Sequence, residues 1–200
     1  MGIMSCQRDR PYHKLVRETW LQNEVDHRFF LGGSLTGALL EDEVLLDVPD
    51  EYCYSRQKLQ GMIAWTLEHE YDFMFKCDTD TYVCVPRLLT SGFERWDWSG
   101  GYYGGSGYWL NKTAMGVLSK IPLDGENWAE DQWVTKQLQD HNFTLHGDSR
   151  YRSQDDLNIG PAPSNDFITT HCYKQSRHYC KAYERLAKFP SYYKIAKDIK

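Results

Sequence analysis

The sequence predicts an α/β fold, a single domain with a mostly parallel central sheet flanked by helices, and three observations carry that prediction. Short apolar runs ending at glycine, proline or polar residues alternate with segments of helical periodicity, the order expected of a parallel sheet covered by helices. At 200 residues the chain can bury one real core but falls short of two ordinary domains. A composition 41% hydrophobic and 26% charged is that of a folded globular chain.

The elements follow in order. Gly2-Ile3-Met4-Ser5-Cys6 reads as a first core strand that breaks into the polar loop Gln7-Arg8-Asp9-Arg10-Pro11, and residues 13–22 read as a helix with Leu15, Val16, Thr19 and Trp20 near one face. Arg28-Phe29-Phe30-Leu31-Gly32-Gly33 repeats the pattern of strand then glycine, and residues 44–48 read as a third short strand before Pro49. Residues 55–70 give the clearest helix, with Leu59, Met62, Ile63 and Leu67 at helical spacing. This helix leads into the strand-like Tyr71-Asp72-Phe73-Met74-Phe75-Lys76-Cys77, which ends at Asp78. Beyond Pro86 the pattern turns irregular: a Gly- and aromatic-rich stretch covers 96–109, helices are expected over 113–119 and 130–139, a loop over 157–165, and a basic, Tyr-studded helix or tail over 181–200.

The formal charge of -5 disfavours general nucleic-acid binding, which rests on Lys and Arg neutralising phosphates. No stretch has the ~18 apolar residues of a membrane span, and the N-terminus lacks the apolar core of a secretory signal. The six cysteines (Cys6, Cys53, Cys77, Cys84, Cys172 and Cys180) form neither a CxxC pair nor a dense framework, so they read as mostly reduced thiols of a cytoplasmic protein. The Asn111-Lys112-Thr113 sequon would matter only in a secretory compartment. Seven Trp and fourteen Tyr exceed what a core of this size needs, and such rings also suit stacking on a base or a sugar face.

Four constellations can carry chemistry. Asp78-Thr79-Asp80, directly after an apolar strand, presents two carboxylates from a turn; Mg²⁺ and Mn²⁺ prefer such oxygen ligands, and the turn would then clamp a diphosphate. Standing alone, the triplet is more often a solvated turn. The run Gly100-Gly101-Tyr102-Tyr103-Gly104-Gly105-Ser106-Gly107-Tyr108-Trp109 allows close backbone approach and offers ring faces, although it is equally read as a surface loop. Glu130-Asp131 lies at a helix start, where Asp131 can take a proton from an acceptor hydroxyl or simply complement the helix dipole. His171 can supply a nitrogen ligand, which Mn²⁺ tolerates better than Mg²⁺, though a histidine taken blindly is usually structural.

Taken together, these segments resemble the inverting β-1,3-glycosyltransferase family that includes the fringe proteins, a GT-A fold group related to the Rossmann architecture. Val16-Arg17-Glu18-Thr19-Trp20 and Arg28-Phe29-Phe30-Leu31-Gly32 are similar to the family's R-x-TW and F-LG opening. Tyr54-Ser55-Arg56-Gln57-Lys58-Leu59 is similar to its Y-x-N-L-T-x-K segment, with several positions changed. Phe75-Lys76-Cys77-Asp78-Thr79-Asp80-Thr81-Tyr82-Val83 resembles its K-x-DDD-x-(F/Y)-V core, with Thr79 in place of the middle Asp. Gly105-Ser106-Gly107-Tyr108 resembles the G-x-G-Y turn, and Glu130-Asp131-Gln132 the E-D-V motif.

The resemblance implies that Asp80 and His171 ligate Mn²⁺ (or Mg²⁺), with Asp78 reaching the ribose or the ion's water shell. It further implies that Ser5, Cys6, Gln7 and Arg8 hold the uracil end, that Lys58 or Arg56 faces the donor phosphate or sugar, and that Asp131 is the catalytic base. Thr79, Gly105 and Gly107 complete the expected donor site. Residues 1–95 would form the nucleotide-binding half and 96–180 the acceptor half. The implied activity is transfer of a hexose from a UDP-sugar of the UDP-glucose, UDP-galactose or UDP-rhamnose class to a glycan or glycoprotein hydroxyl. Compact versions of this kind resemble transferases of large algal viruses, which would place the chain in host cytoplasm. Asp131 alone carries the inverting assignment, and retention stays open. Two other classes stay open as well: a metal-dependent, lectin-like glycan-binding module, and a metal-dependent phosphohydrolase or nucleotidyltransferase.

Overall fold

The apolar runs become neighbouring parallel strands. The computed structural model describes residues 1–22, 25–35, 37–123, 129–152 and 166–171. In it, β1 (Gly2–Met4) pairs in parallel with β2 (Arg28–Leu31) and with β4 (Phe73–Asp78), and β2 pairs in parallel with β3 (Glu43–Leu45). Ile3 stands level with Phe29 on one side and Cys77 on the other. Strands covered on both faces can be apolar at every position, which explains why Phe29-Phe30 and Met74-Phe75 are continuous rather than alternating. Phe29 and Phe75 point to one face, into a core with Ile3, Val16 and Trp20. Phe30 and Met74 point to the other, where α2 (Ser55–Glu68) packs Leu59, Met62 and Ile63. Each such buried side chain contributes about 1.5–3 kcal/mol.

The helices α4 (Lys112–Leu118) and α5 (Glu130–Asp140) join α2 on that second face through Ala114, Met115 and Leu118 and through Trp133, Val134 and Leu138. The first face is covered by α1 (His13–Glu18), α3 (Val85–Leu89) and a small second sheet. In that sheet β10 (Thr169–His171) lies antiparallel to β5 (Thr81–Val83) and parallel to β9 (Tyr151–Arg152).

Several boundaries differ from the sequence expectation. The first helix stops at Glu18 rather than running to 22, because Thr19 leaves helical geometry and turns its hydroxyl back to Leu15 O at 2.7 Å; a 3₁₀ turn, Trp20–Gln22, follows. The third strand occupies Glu43–Leu45 rather than 44–48. The stretch 96–109, expected to be irregular, contains β6 (Trp98–Gly100) and the start of β7 (Tyr108–Asn111), which continue the main sheet, β7 antiparallel to β4 and β6 antiparallel to β7. With β8 (His146–Gly147) beside β6, the order is β3-β2-β1-β4-β7-β6-β8. The stretches 157–165 and 181–200 lie outside the described residues. No described helix is long and apolar enough to cross a membrane.

This order places a topological switch at the carboxyl ends of β1 and β4. From β1 the chain builds β2 and β3 to one side and returns with β4 on the other, and open sheets of this type leave a crevice there. Thr79 ties the two ends together, its N–H and Oγ1 both donating to Met4 O at 3.2 and 3.1 Å.

Candidate active site

The loop after β1 is held from three directions. Ser5 is buried, with its Oγ 2.7 Å from His13 Nε2, while His13 Nδ1 lies 2.8 Å from Glu43 Oε1. Arg10 reaches the same Glu43 at 2.7 Å. Burial opposes ionisation of Glu43, yet hydrogen bonds from Arg10, the Leu40 N–H and His13 prevail and hold its pKa at about 2. Burial pushes the His13 pKa down, against the pull of Glu43. Asp50 is the second clamp, accepting from Gln7 N at 2.7 Å, Gly32 N at 3.1 Å and Lys58 Nζ at 3.0 Å. Lys58 also donates to Ser5 O at 2.6 Å, so its buried ammonium fixes the loop from beneath. Cys6 Sγ donates to Asp9 Oδ2 at 3.0 Å, and the Arg8 side chain is 81% exposed. Arg56 is buried, and its Nε has no hydrogen-bond partner among the described residues.

The turn after β4 brings together three of the expected residues. One ligand atom each from Asp78, Asp80 and His171 lies within 4.8 Å of the others. His171 arrives at the end of β10, level with Thr81 in β5, and its Nε2 is 3.3 Å from Asp80 Oδ1. Burial disfavours the imidazolium, but the Asp80 and Asp78 carboxylates outweigh it and hold the His171 pKa above the usual imidazole range. Gly105 makes room for this ring: a Cβ there would come within 2.4 Å of it. Thr81 Oγ1 donates to Gly105 O at 2.6 Å and accepts from Asp78 N at 3.2 Å, joining the glycine turn to the acidic one. Gly107 has φ +83°, where a side chain would also run into Phe75. The cluster suits a divalent ion on chemical grounds: two carboxylates and an imidazole converge beside a glycine cradle.

Asp131 is half-buried, and its Oδ2 accepts from Gly104 N at 3.0 Å, which places it on the same glycine turn. Sequence reasoning singled out Asp131 but gave no role to its surroundings. Lys76, wholly buried in β4, bridges Asp78 Oδ1 at 2.8 Å and Glu130 Oε1 at 2.7 Å, and Tyr108 Oη donates to Glu130 at 2.9 Å. Burial pushes the Glu130 pKa up, opposed by Lys76; burial also works against the Lys76 charge, but Asp78 and Glu130 more than restore it. The available signal was a lysine interrupting an otherwise apolar strand. Tyr52, largely exposed, also borders this end, where partial desolvation of its hydroxyl and the charges of Asp131, Glu130 and Asp78 raise its pKa.

Fold and cluster define a class first: an α/β chain whose acidic side chains gather at the carboxyl ends of its parallel strands. No family model matches the chain, and no curated protein does. Among solved structures, the chain is similar to one described as a glycosyltransferase involved in the glycosylation of the major capsid of PBCV-1. The TM-score is 0.50, over 92% of this chain and 98% of that one, at 13% sequence identity. The likeness shows the shared fold.

Proposed function

We propose that the chain is a metal-dependent glycosyltransferase of the fringe-like GT-A kind, moving a hexose from a UDP-sugar to a hydroxyl of a glycan. The convergence of Asp78, Asp80 and His171 at the switch point, in a fold shared with a solved glycosyltransferase, carries this reading. Asp80 and His171 would hold Mn²⁺ or Mg²⁺, with Asp78 supporting. When bound, the ion supplies Lewis-acid neutralisation of the charge on a departing diphosphate.

The chain's own residues do the rest. The loop of Ser5, Cys6, Gln7 and Arg8 forms the wall for the base, and Lys58 and Asp50 keep it in shape. Arg56 faces the donor's phosphates; its buried Nε, without a hydrogen-bond partner among the described residues, supports that assignment. Asp131 takes the proton from the acceptor hydroxyl, oriented by the Gly104 N–H. The exposed rings of Tyr102 and Tyr103, next to Gly104, offer faces on which a sugar can stack.

The test is Asp131→Asn, whose amide oxygen can still accept from Gly104. UDP release from UDP-glucose, UDP-galactose or UDP-rhamnose should fall by ~100-fold or more, while Mn²⁺-dependent UDP binding is unchanged. Equal turnover by the two proteins would contradict the assignment of the base.

A further inference from the structure

The proposed reaction uses Asp131 and the Asp78, Asp80 and His171 cluster but gives no task to the ion network buried between them. The Lys76 ammonium has three protons, and it meets three acceptors: Asp78 Oδ1 at 2.8 Å, Glu130 Oε1 at 2.7 Å and Gly104 O at 3.3 Å. Tyr108, which also donates to Glu130, stands opposite Lys76 in the register of β4 and β7. Gly104 closes the circuit. Its carbonyl accepts from Lys76 and its N–H donates to Asp131. Its Cα lies so close to Glu130 that a Cβ would stand 2.7 Å from Oε2.

We propose that Glu130, acting through Lys76 and Gly104, is a positioning residue that sets where Asp131 stands relative to Asp78. The proposal rests on the reading of Asp131 as proton acceptor. Two observations support it. Helix α5 begins at Glu130, and the ion pair from Glu130 to Lys76 ties that helix start directly to β4. Asp131, the next residue, shares that anchor. Secondly, a buried ion pair is a poor source of net stability, because desolvating the charges offsets their attraction. What the pair provides is a fixed geometry between one sheet-borne carboxylate, Asp78, and two helix-borne ones, Glu130 and Asp131. Misplacing a reacting group by about 1 Å can cost ~100-fold in rate.

The experiment compares Glu130→Gln, which keeps size and an acceptor oxygen, with the double variant Lys76→Met/Glu130→Met, which leaves neither of these two charges buried. Three quantities are read: kcat and KM for UDP release from the UDP-hexose that the wild type turns over, Mn²⁺-dependent UDP binding by calorimetry, and the melting temperature. The expected result for Glu130→Gln is a kcat about tenfold lower, with KM and UDP binding within about twofold of wild type. The double variant should melt near the wild type and lose kcat by ~100-fold. Wild-type kcat in the double variant would overturn the proposal. So would loss of the fold in both variants, which assigns the network to stability, or a fall in kcat matched by an equal fall in UDP binding, which assigns it to holding the donor. Asp131→Asn separates the two readings. If that variant is inactive while the network variants turn over normally, only the positioning role fails; if it turns over normally, the base assignment fails and takes the positioning role with it.

Discussion

The loop after β1 and the turn after β4 lie side by side, tied by Thr79 to Met4, yet they treat their polar groups in opposite ways. In the first, charges are matched locally, Glu43 by Arg10 and Asp50 by Lys58, with His13 adding a hydrogen bond to Glu43. In the second, the carboxylates Asp78, Asp80, Glu130 and Asp131 gather around one ammonium, Lys76, and one imidazole, His171. Closely spaced like charges disfavour one another's ionisation, and a cation relieves them. In the first region each carboxylate has its own cation, whereas in the second the carboxylates outnumber the cations that face them, as the proposed metal site requires.

The largest expected effect comes from breaking the balance in the second region. Lys76→Met leaves Asp78 and Glu130 facing each other without their ammonium and should cost about 3–5 kcal/mol in urea unfolding at neutral pH. A loss below ~1 kcal/mol would show that the buried charges are compensated by something else.

The wall should respond differently, through pH. Glu43 has its folded pKa depressed from 4.5 to about 2, so its contribution is present above pH 4.5 and is lost as pH falls toward 2. His13 is likewise depressed from 6.5, so its contribution is present above 6.5 and also declines with acid. Glu43→Gln should therefore be less stable than wild type by ~1.5–3 kcal/mol at pH 7, with the gap closing between pH 4.5 and 2. A gap that stays constant across that range would contradict the matched-charge account of the wall.

The smallest effect tests the cradle. Gly105→Ala pushes a methyl group to within 2.4 Å of the His171 ring, so that ring must shift. Calorimetry should show Mn²⁺ binding weakened about tenfold, roughly 1.4 kcal/mol, with little change in folding stability. Unchanged affinity would remove His171 from the ligand set.

Much of this was legible in the sequence, for identifiable reasons. The parallel strands and α2 announced themselves through Ile3, Phe29, Phe75 and the Leu59, Met62, Ile63 face, because burial on two sides leaves a strong local pattern. Asp78 could be placed at a strand end by the same logic. The strands β6 and β7 were hidden because they have only three and four residues and adjoin glycines whose φ angles, +127° at Gly100 and +83° at Gly107, serve the turn between them. The second sheet joins Val83 to Thr169 across a long stretch of chain, and pairing at that distance leaves no local periodicity. The Ser5, His13 and Glu43 relay was invisible for the same reason, as was the engagement of Lys58 with Ser5 and Asp50. Lys76 was readable as an oddity, a charge within an apolar strand, but its partners at Glu130 and Gly104 were not.

The measurement that bears most directly on the central claim is thermal unfolding with UDP and Mn²⁺, alone and together. A ligand that binds only the folded state stabilises it by ~2.7 kcal/mol at 100 times its Kd, which for a domain of this size raises Tm by roughly 5–10 °C. The account predicts that rise with UDP and Mn²⁺ together, little with either alone, and none in Asp80→Ala. An equal rise with UDP in the presence of EDTA, or a rise with free glucose and metal in the absence of UDP, would contradict it.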